Sequence, residues 1–187
     1  MAKPTTTFLD ELSGAARGCV ALVMGRREAA SFFDFSQRGL VGSFIAALVA
    51  VALAGFGPML AGLPLPQGAA TQSIIINAVL FAAQAVTAFF ALRQMGRQDG
   101  FTPYLVASNW VTLASALMSV LAALLGPAGM VVILVLAVFA ILTFVNIGRF
   151  IVTLKPMQIG LLFLSQVVGV FVAFGVIAVL MGPAVVS

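Results

Sequence analysis

The sequence is poor in charged residues and has no histidine: 7% of its 187 residues are charged, whereas 63% are hydrophobic. Soluble domains carry about 25% charged residues, so these few charges could not cover a water-soluble fold of this length. The lack of histidine and the single cysteine, Cys19, exclude an intrachain disulfide and a Cys/His metal site. We therefore expect a membrane protein without a metal or other cofactor.

Charges are absent from long stretches of the chain. Between Arg38 and Arg149 the only charged residues are Arg93, Arg97 and Asp99. Apolar runs of about 20 residues are long enough to cross the hydrocarbon core of a bilayer as helices. The pattern predicts an all-α integral membrane protein with five transmembrane helices. The predicted spans cover residues 39–61, 73–92, 103–125, 130–148 and 157–181.

The basic residues divide the chain into regions and predict its orientation. Residues 1–38 form a cytosolic or interfacial N-terminal arm, and residues 39–187 form a single membrane domain. Every lysine and arginine lies in the arm, in residues 93–100 or in residues 149–155, and these segments alternate with loops that have none. Since lysine and arginine mark the cytosolic side of a membrane, we predict that the N-terminus is inside and the C-terminus outside.

The N-terminal arm contains a predicted amphipathic helix over residues 7–24. Its apolar stripe consists of Phe8, Leu9, Leu12, Ala16, Cys19, Val20 and Val23. Asp10, Ser13 and Arg17 lie off this stripe. These charges make the helix too polar to span a bilayer, so it is predicted to be an interfacial helix in the headgroup plane. The alternative is that it packs on the cytosolic ends of the spans.

Aromatic and basic residues beside the spans are typical of a membrane–water interface. The candidate interfacial anchors are Arg26, Arg27, Phe32, Phe33, Arg149 and Lys155. The alternative for the phenylalanines is a protein-docking patch, and for Arg149 a cap on a polar seam. The basic residues suit a bilayer with anionic headgroups, which we predict as a partner.

Polar but uncharged side chains recur within the predicted spans. The candidate polar seam consists of Asn77, Gln84, Asn109, Thr112 and Asn146. Further serines, at 108, 115 and 119, follow the helical spacing of Thr112 on the third span. One interpretation is that these groups hydrogen-bond between helices and pack them together. The other is that they line a pathway for a solute or a lipid.

The opening of the third span carries a family resemblance. Its residues 100–107 read Gly-Phe-Thr-Pro-Tyr-Leu-Val-Ala, which is similar to the aromatic-and-proline entry to a central span in the Yip family of Rab-interacting membrane proteins and their bacterial relatives. The hydropathy pattern over residues 35–181 also resembles that family. The resemblance implies a membrane organiser or adaptor without catalytic activity.

The spans contain no Asp, Glu, His or Lys, the groups that proton-coupled transport and catalysis within membranes usually need. We therefore predict that the protein is not an enzyme. The main hypothesis is a non-catalytic membrane organiser, adaptor or small subunit of a larger complex. The alternative is a small-solute or lipid transporter that acts as an oligomer.

Composition also bears on location and partners. A usage rich in alanine, valine, glycine and arginine indicates a bacterial protein, and hence a multi-pass protein of the bacterial inner (plasma) membrane. The net charge of +4 does not predict a nucleic-acid partner, because the cations stand at the ends of apolar runs. A homo-oligomer or a larger membrane complex is expected instead.

Overall fold

The structure is a computed structural model that describes residues 8–181, and within these residues it is all-helical, without strands. The six α-helices are α1 (Phe8–Val23), α2 (Gln37–Leu60), α3 (Ala69–Gln94), α4 (Phe101–Leu124), α5 (Gly129–Asn146) and α6 (Pro156–Met181). Helices α2 to α6 are long and apolar enough to cross a membrane. The five predicted spans are therefore present as five helices.

Most helix ends lie close to the predicted ones, and the start of α3 and the end of α5 differ most in structure. Helix α3 begins at Ala69, ahead of the predicted residue 73 and directly after Gly68, which has a left-handed conformation (φ 83°). Helix α5 ends at Asn146 and continues as a π-helical turn, Ile147–Ile151. In this turn the Val152 N–H donates to the Ile147 carbonyl at 3.0 Å, which is the wider spacing of a π-helix.

Proline 58 lies inside α2 without ending it. A proline has no N–H, so the carbonyl four residues earlier, at Ala54, loses its helical donor. The Ser73 hydroxyl of α3 donates to that carbonyl at 3.0 Å. A side chain of the neighbouring helix thus supplies the missing hydrogen bond, as the apolar interior of a membrane requires.

The five long helices form an open ring. Helix α2 packs against α4 and α3, α4 packs against α5, and α3 packs against α6. Helices α5 and α6 pack on these partners rather than on each other, although the rings of Phe144 and Phe163 approach across the gap with centroids 5.8 Å apart. We call the end of the ring that holds Arg38, Arg93 and Arg149 the charged end, and the other the uncharged end.

Helix α1 packs against the charged end of the ring through small residues. Its buried face includes Ala15, Gly18, Cys19 and Leu22. A Cβ atom on Gly18 would lie 2.5 Å from the ring of Phe33, so glycine allows the short helical turn Arg27–Phe32 and the phenylalanine after it to approach α1 closely. The placement of α1 relative to a bilayer, and the cytosolic location of this end, stay predictions.

Part of the predicted apolar stripe does not take part in that packing. Leu9 is 72% exposed, Leu12 37% and Val20 54%. The face that packs on the ring is the neighbouring one, which is made mostly of smaller residues, because small side chains allow helices to approach more closely than leucine does. The residues of the predicted apolar stripe thus divide, because Cys19 is buried in this packing whereas Leu9, Leu12 and Val20 stay exposed.

The N-terminal half of α1 reaches two other helices. The Phe8 ring lies 6.1 Å from the Trp110 ring of α4. Glu11 pairs with Arg38 of α2 at 3.3 Å, with the glutamate side chain only 9% exposed. An aromatic contact and an ion pair thus connect α1 to the ring, whereas its depth in a bilayer stays a prediction.

Candidate functional site

The predicted polar seam separates into two groups in the structure. Asn77, Gln84 and Thr112 line cavities inside the ring. Asn109 and Asn146 are buried between helices, with 1% and 5% of their surface exposed. The sequence predicted one seam, and the structure places its members in a cavity wall or in a helix contact.

The first cavity lies between α2, α3 and α4 and has a volume of about 370 Å³. Most of its wall is apolar. The polar side chains in it are Asn77, Gln84, Thr112, Ser115 and Ser119. The cavity reaches Pro58 and Ala123, so it occupies the half of the ring near the uncharged end.

The second cavity lies between α4, α5 and α6, with Gln84 of α3 as a further wall, and has a volume of about 560 Å³. Its polar side chains are Gln84, Tyr104, Ser108, Thr112, Ser115, Thr143 and Gln166. It reaches Ile147 and Ile159 and so occupies the half near the charged end. Since both α5 and α6 line it, the second cavity lies behind the gap between these two helices.

The two cavities share lining residues near the middle of the ring. Gln84, Thr112 and Ser115 line both of them. Each cavity extends from these three residues toward a different end. One cavity therefore lies toward each end of the ring, and the two have these three polar side chains in common.

Gln84 is a shared lining residue of both cavities, and its side chain is exposed. Its backbone carbonyl accepts hydrogen bonds from the Gln166 amide at 3.2 Å and from the Thr87 hydroxyl at 3.2 Å. Within residues 8–181 its own side-chain amide has no hydrogen-bond partner. An amide within a membrane span has no bulk water to hydrogen-bond with. Its donors and its acceptor are therefore free to bind a polar group that enters either cavity.

Two threonine hydroxyl groups of the cavity walls already donate within their own helices. Thr112 donates to the Ser108 carbonyl at 2.8 Å, and Thr143 donates to the Phe139 carbonyl at 2.7 Å. A hydroxyl that donates in this way still has oxygen lone pairs. The walls can therefore accept hydrogen bonds from a ligand, while Gln84 can both donate and accept.

Asn109 and Asn146 connect helices. The Asn109 amide donates to the Ser43 hydroxyl at 3.1 Å and joins α4 to α2, while its carbonyl oxygen is buried without a partner among the described residues. The Asn146 amide donates to the Leu22 carbonyl at 2.7 Å. Asn146 thus joins the end of α5 to the end of α1.

The predicted interfacial anchors lie around the charged end. Arg26, Arg27, Arg149 and Lys155 are exposed, Phe32 is half-buried and Phe33 is buried. Arg26 lies 3.6 Å from Glu28. The Arg149 guanidinium lies 5.0 Å from the centre of the Phe150 ring, a cation–π distance.

Arg97 has a role that the sequence did not predict. Its guanidinium donates to the Thr153 carbonyl at 2.9 Å, to the Thr153 hydroxyl at 2.8 Å and to the Val152 carbonyl. Thr153 has a φ of 56°, a conformation that costs a non-glycine residue about 1–2 kcal/mol. These bonds stabilise the break between α5 and α6, and no local pattern could reveal a contact between residues so far apart in the chain.

Glu11 was also missed, although its spacing gave a signal. It precedes Ala15, Gly18 and Leu22 at intervals of four, three and four residues, so it lies on their face of α1.

Comparisons of the chain with protein families, curated proteins and solved structures found no match. The resemblance to the Yip family therefore stays a prediction, and the positive finding is a helical chain with five helices able to span a membrane.

Proposed function

We propose that this protein moves a small amphipathic molecule, most simply a membrane lipid, across the inner membrane of a bacterium. The observation that carries the proposal is that Gln84, Thr112 and Ser115 line both cavities. This was the alternative hypothesis from the sequence. What supports it is that three polar residues line both cavities.

The chemistry of the walls favours an amphipathic molecule over an ion. Binding sites for small molecules usually have volumes of about 300–1,000 Å³, with mostly apolar walls and a few polar groups. Both cavities fall in this range. Among the described lining residues none carries a charge at neutral pH, so the walls offer hydrogen bonds to a polar group but no counter-ion.

The gap between α5 and α6 supports entry from the side. A lipid could place its polar group in the second cavity while its chains stay in the surrounding bilayer. Phe144 and Phe163 stand at this gap. In this proposal, rotation of the two rings controls access to the cavity.

A second candidate function is the organiser, adaptor or complex subunit of the main sequence hypothesis. It is favoured by the outer face of α5, where Val131, Leu134, Val138 and Ile141 are each more than half exposed. These residues follow helical spacing and form a continuous apolar face. Such a face suits a partner helix or a second copy of the chain.

Transport can be tested with a fluorescent lipid in reconstituted vesicles. The full chain is placed in vesicles that contain nitrobenzoxadiazole-labelled phosphatidylcholine, and dithionite is added outside. We expect the label of the inner leaflet to be lost faster than in empty vesicles. Gln84→Leu should slow this loss by about fivefold, which corresponds to one hydrogen bond of about 1 kcal/mol. Gln94→Leu, on the same helix but outside both cavities, should leave the rate unchanged.

Two results would contradict the transport proposal. One is a wild-type rate equal to that of empty vesicles, with the protein shown to be folded by circular dichroism. The other is an equal effect of the two substitutions. A larger complex in mild detergent, together with either result, would favour the organiser or subunit instead.

A further inference from the structure

A groove outside the ring combines apolar and cationic side chains. It lies between α1 and the turn Arg27–Phe32 and has a volume of about 410 Å³. Its lining residues are Ala16, Arg17, Val20, Ala21, Arg26 and Phe32. Neither transport nor the contacts of α1 with the ring make use of this groove.

The two arginines give the groove its chemistry. Arg17 and Arg26 come from different elements, and both are exposed. A guanidinium presents several N–H donors in a plane and binds phosphate oxygens in pairs. Glu28 lies 3.6 Å from Arg26, with both side chains more than half exposed. A ligand with a stronger negative charge can compete with such an exposed ion pair, which is worth little in water.

The apolar surface continues from the groove along α1. Val20 lines the groove, and Leu12 and Leu9 follow it toward the start of the helix on the same exposed face. This face is separate from the one that packs on the ring. A soluble anion would leave these side chains in contact with water, whereas an acyl chain would cover them.

We propose that this groove binds the phosphate headgroup of an anionic membrane lipid between Arg17 and Arg26, with an acyl chain along Val20, Leu12 and Leu9. The lipid holds α1 and the turn Arg27–Phe32 together at the charged end of the ring. The proposal does not depend on transport, because the groove and the cavities share no lining residue.

The test measures lipid binding by the full chain in detergent by native mass spectrometry, with phosphatidylglycerol as the anionic lipid and phosphatidylcholine as the neutral one. We expect bound phosphatidylglycerol in excess. Arg17→Gln with Arg26→Gln should weaken its binding by about fivefold for each arginine removed. The control variant Arg93→Gln with Arg149→Gln removes the same charge from the same end of the ring. Its binding of phosphatidylglycerol should stay within about twofold of the wild type, since both residues lie outside the groove.

A second variant guards against an effect on folding. Val20→Glu places an acid at an exposed position in the groove and should weaken phosphatidylglycerol binding without lowering the melting temperature. Equal losses in the two double variants, or unchanged binding in Val20→Glu, would overturn the proposal.

A competition experiment distinguishes a lipid from free phosphate. We expect millimolar inorganic phosphate not to displace phosphatidylglycerol, because it cannot cover the apolar residues. Displacement by inorganic phosphate at the same concentration as a short-chain phosphatidylglycerol would show a site for the soluble anion and overturn the lipid assignment.

Discussion

Asn146 and Asn77 carry the same amide group but use it differently. Asn146 donates to the Leu22 carbonyl of another helix, whereas Asn77 donates to the Ser73 carbonyl, one turn earlier in its own helix, and lines the first cavity. A hydrogen bond between helices contributes to the packing of the bundle, and a bond within one helix does not. The sequence could not separate these roles, because both residues are isolated asparagines in apolar surroundings.

We therefore predict different effects of the same substitution at the two positions. Asn146→Leu should lower the free energy of unfolding in detergent by about 0.6 kcal/mol, and at most about 2 kcal/mol. Asn77→Leu should leave it unchanged, because no bond to another helix is lost. Thermal melting followed by circular dichroism measures both. Equal destabilisation by the two substitutions would mean that Asn77 also holds helices together.

Cys19 predicts a dependence of stability on pH. Burial raises the pKa of its thiol from the ordinary value of 9.0 to about 12, so in the folded protein the thiol stays protonated at a pH at which the thiol of the unfolded chain already ionises. The stability that this raised pKa contributes is complete below the unfolded pKa and is lost as the pH rises toward the folded pKa. Each pH unit in that window should cost about 1.4 kcal/mol.

The measurement compares the melting temperature of the wild type with that of Cys19→Ala between pH 8 and pH 10. The wild type should lose more stability over this range than the variant. Other groups titrate in both proteins, so their effects cancel in the comparison. Parallel curves would show that the thiol of Cys19 does not stay protonated in the fold.

At the scale of elements, close packing of α1 depends on Gly18. A Cβ atom there would meet the Phe33 ring at 2.5 Å, whereas one on Gly175 of α6 would have nothing within 4 Å. We predict that Gly18→Ala lowers the melting temperature. Gly175→Ala should leave it unchanged or raise it, because alanine favours a helix by about 1 kcal/mol over glycine. Limited proteolysis should also cleave α1 faster in Gly18→Ala, and equal behaviour of the two variants would contradict the packing described here.

At the scale of the whole molecule, the orientation in the membrane is the main untested prediction. The basic residues predict that a reporter enzyme fused after Ser187 is active only outside the cytosol. A reporter inserted into residues 97–100 should instead be located in the cytosol. Each position is tested with two reporter enzymes, one that is active only in the cytosol and one that is active only outside it. The same compartment at both positions would contradict the five predicted spans.

How much of the fold follows from the sequence can be judged from particular elements. Apolar runs without charge predicted five spans because the bilayer imposes length and hydropathy on each helix separately. The face on which α1 packs was not predicted, since Leu9 and Val20 are more hydrophobic than Ala15 and Gly18 but fit less closely. Contacts such as Arg97 with Thr153 depend on which loops become neighbours, and a single sequence does not contain that information.

The candidate site was predictable in its residue types but not in its arrangement. Gln84 and Thr112 were found because polar groups are rare in spans. Their place in the walls of both cavities depends on how α3 and α4 pack, which hydropathy does not determine. Arg17 was assigned only to the polar face of its helix, because the turn that brings Arg26 beside it is a short 3₁₀ segment without a strong sequence signal.

The uncharged walls of the two cavities have a consequence for energetics. A membrane potential does work on a charge that crosses the bilayer, about 2.3 kcal/mol for each elementary charge per 100 mV. None of the described lining residues carries a charge on which the membrane potential could act. Passage of a neutral molecule would therefore be insensitive to voltage, and it would run down the concentration difference in either direction until the two leaflets were equal.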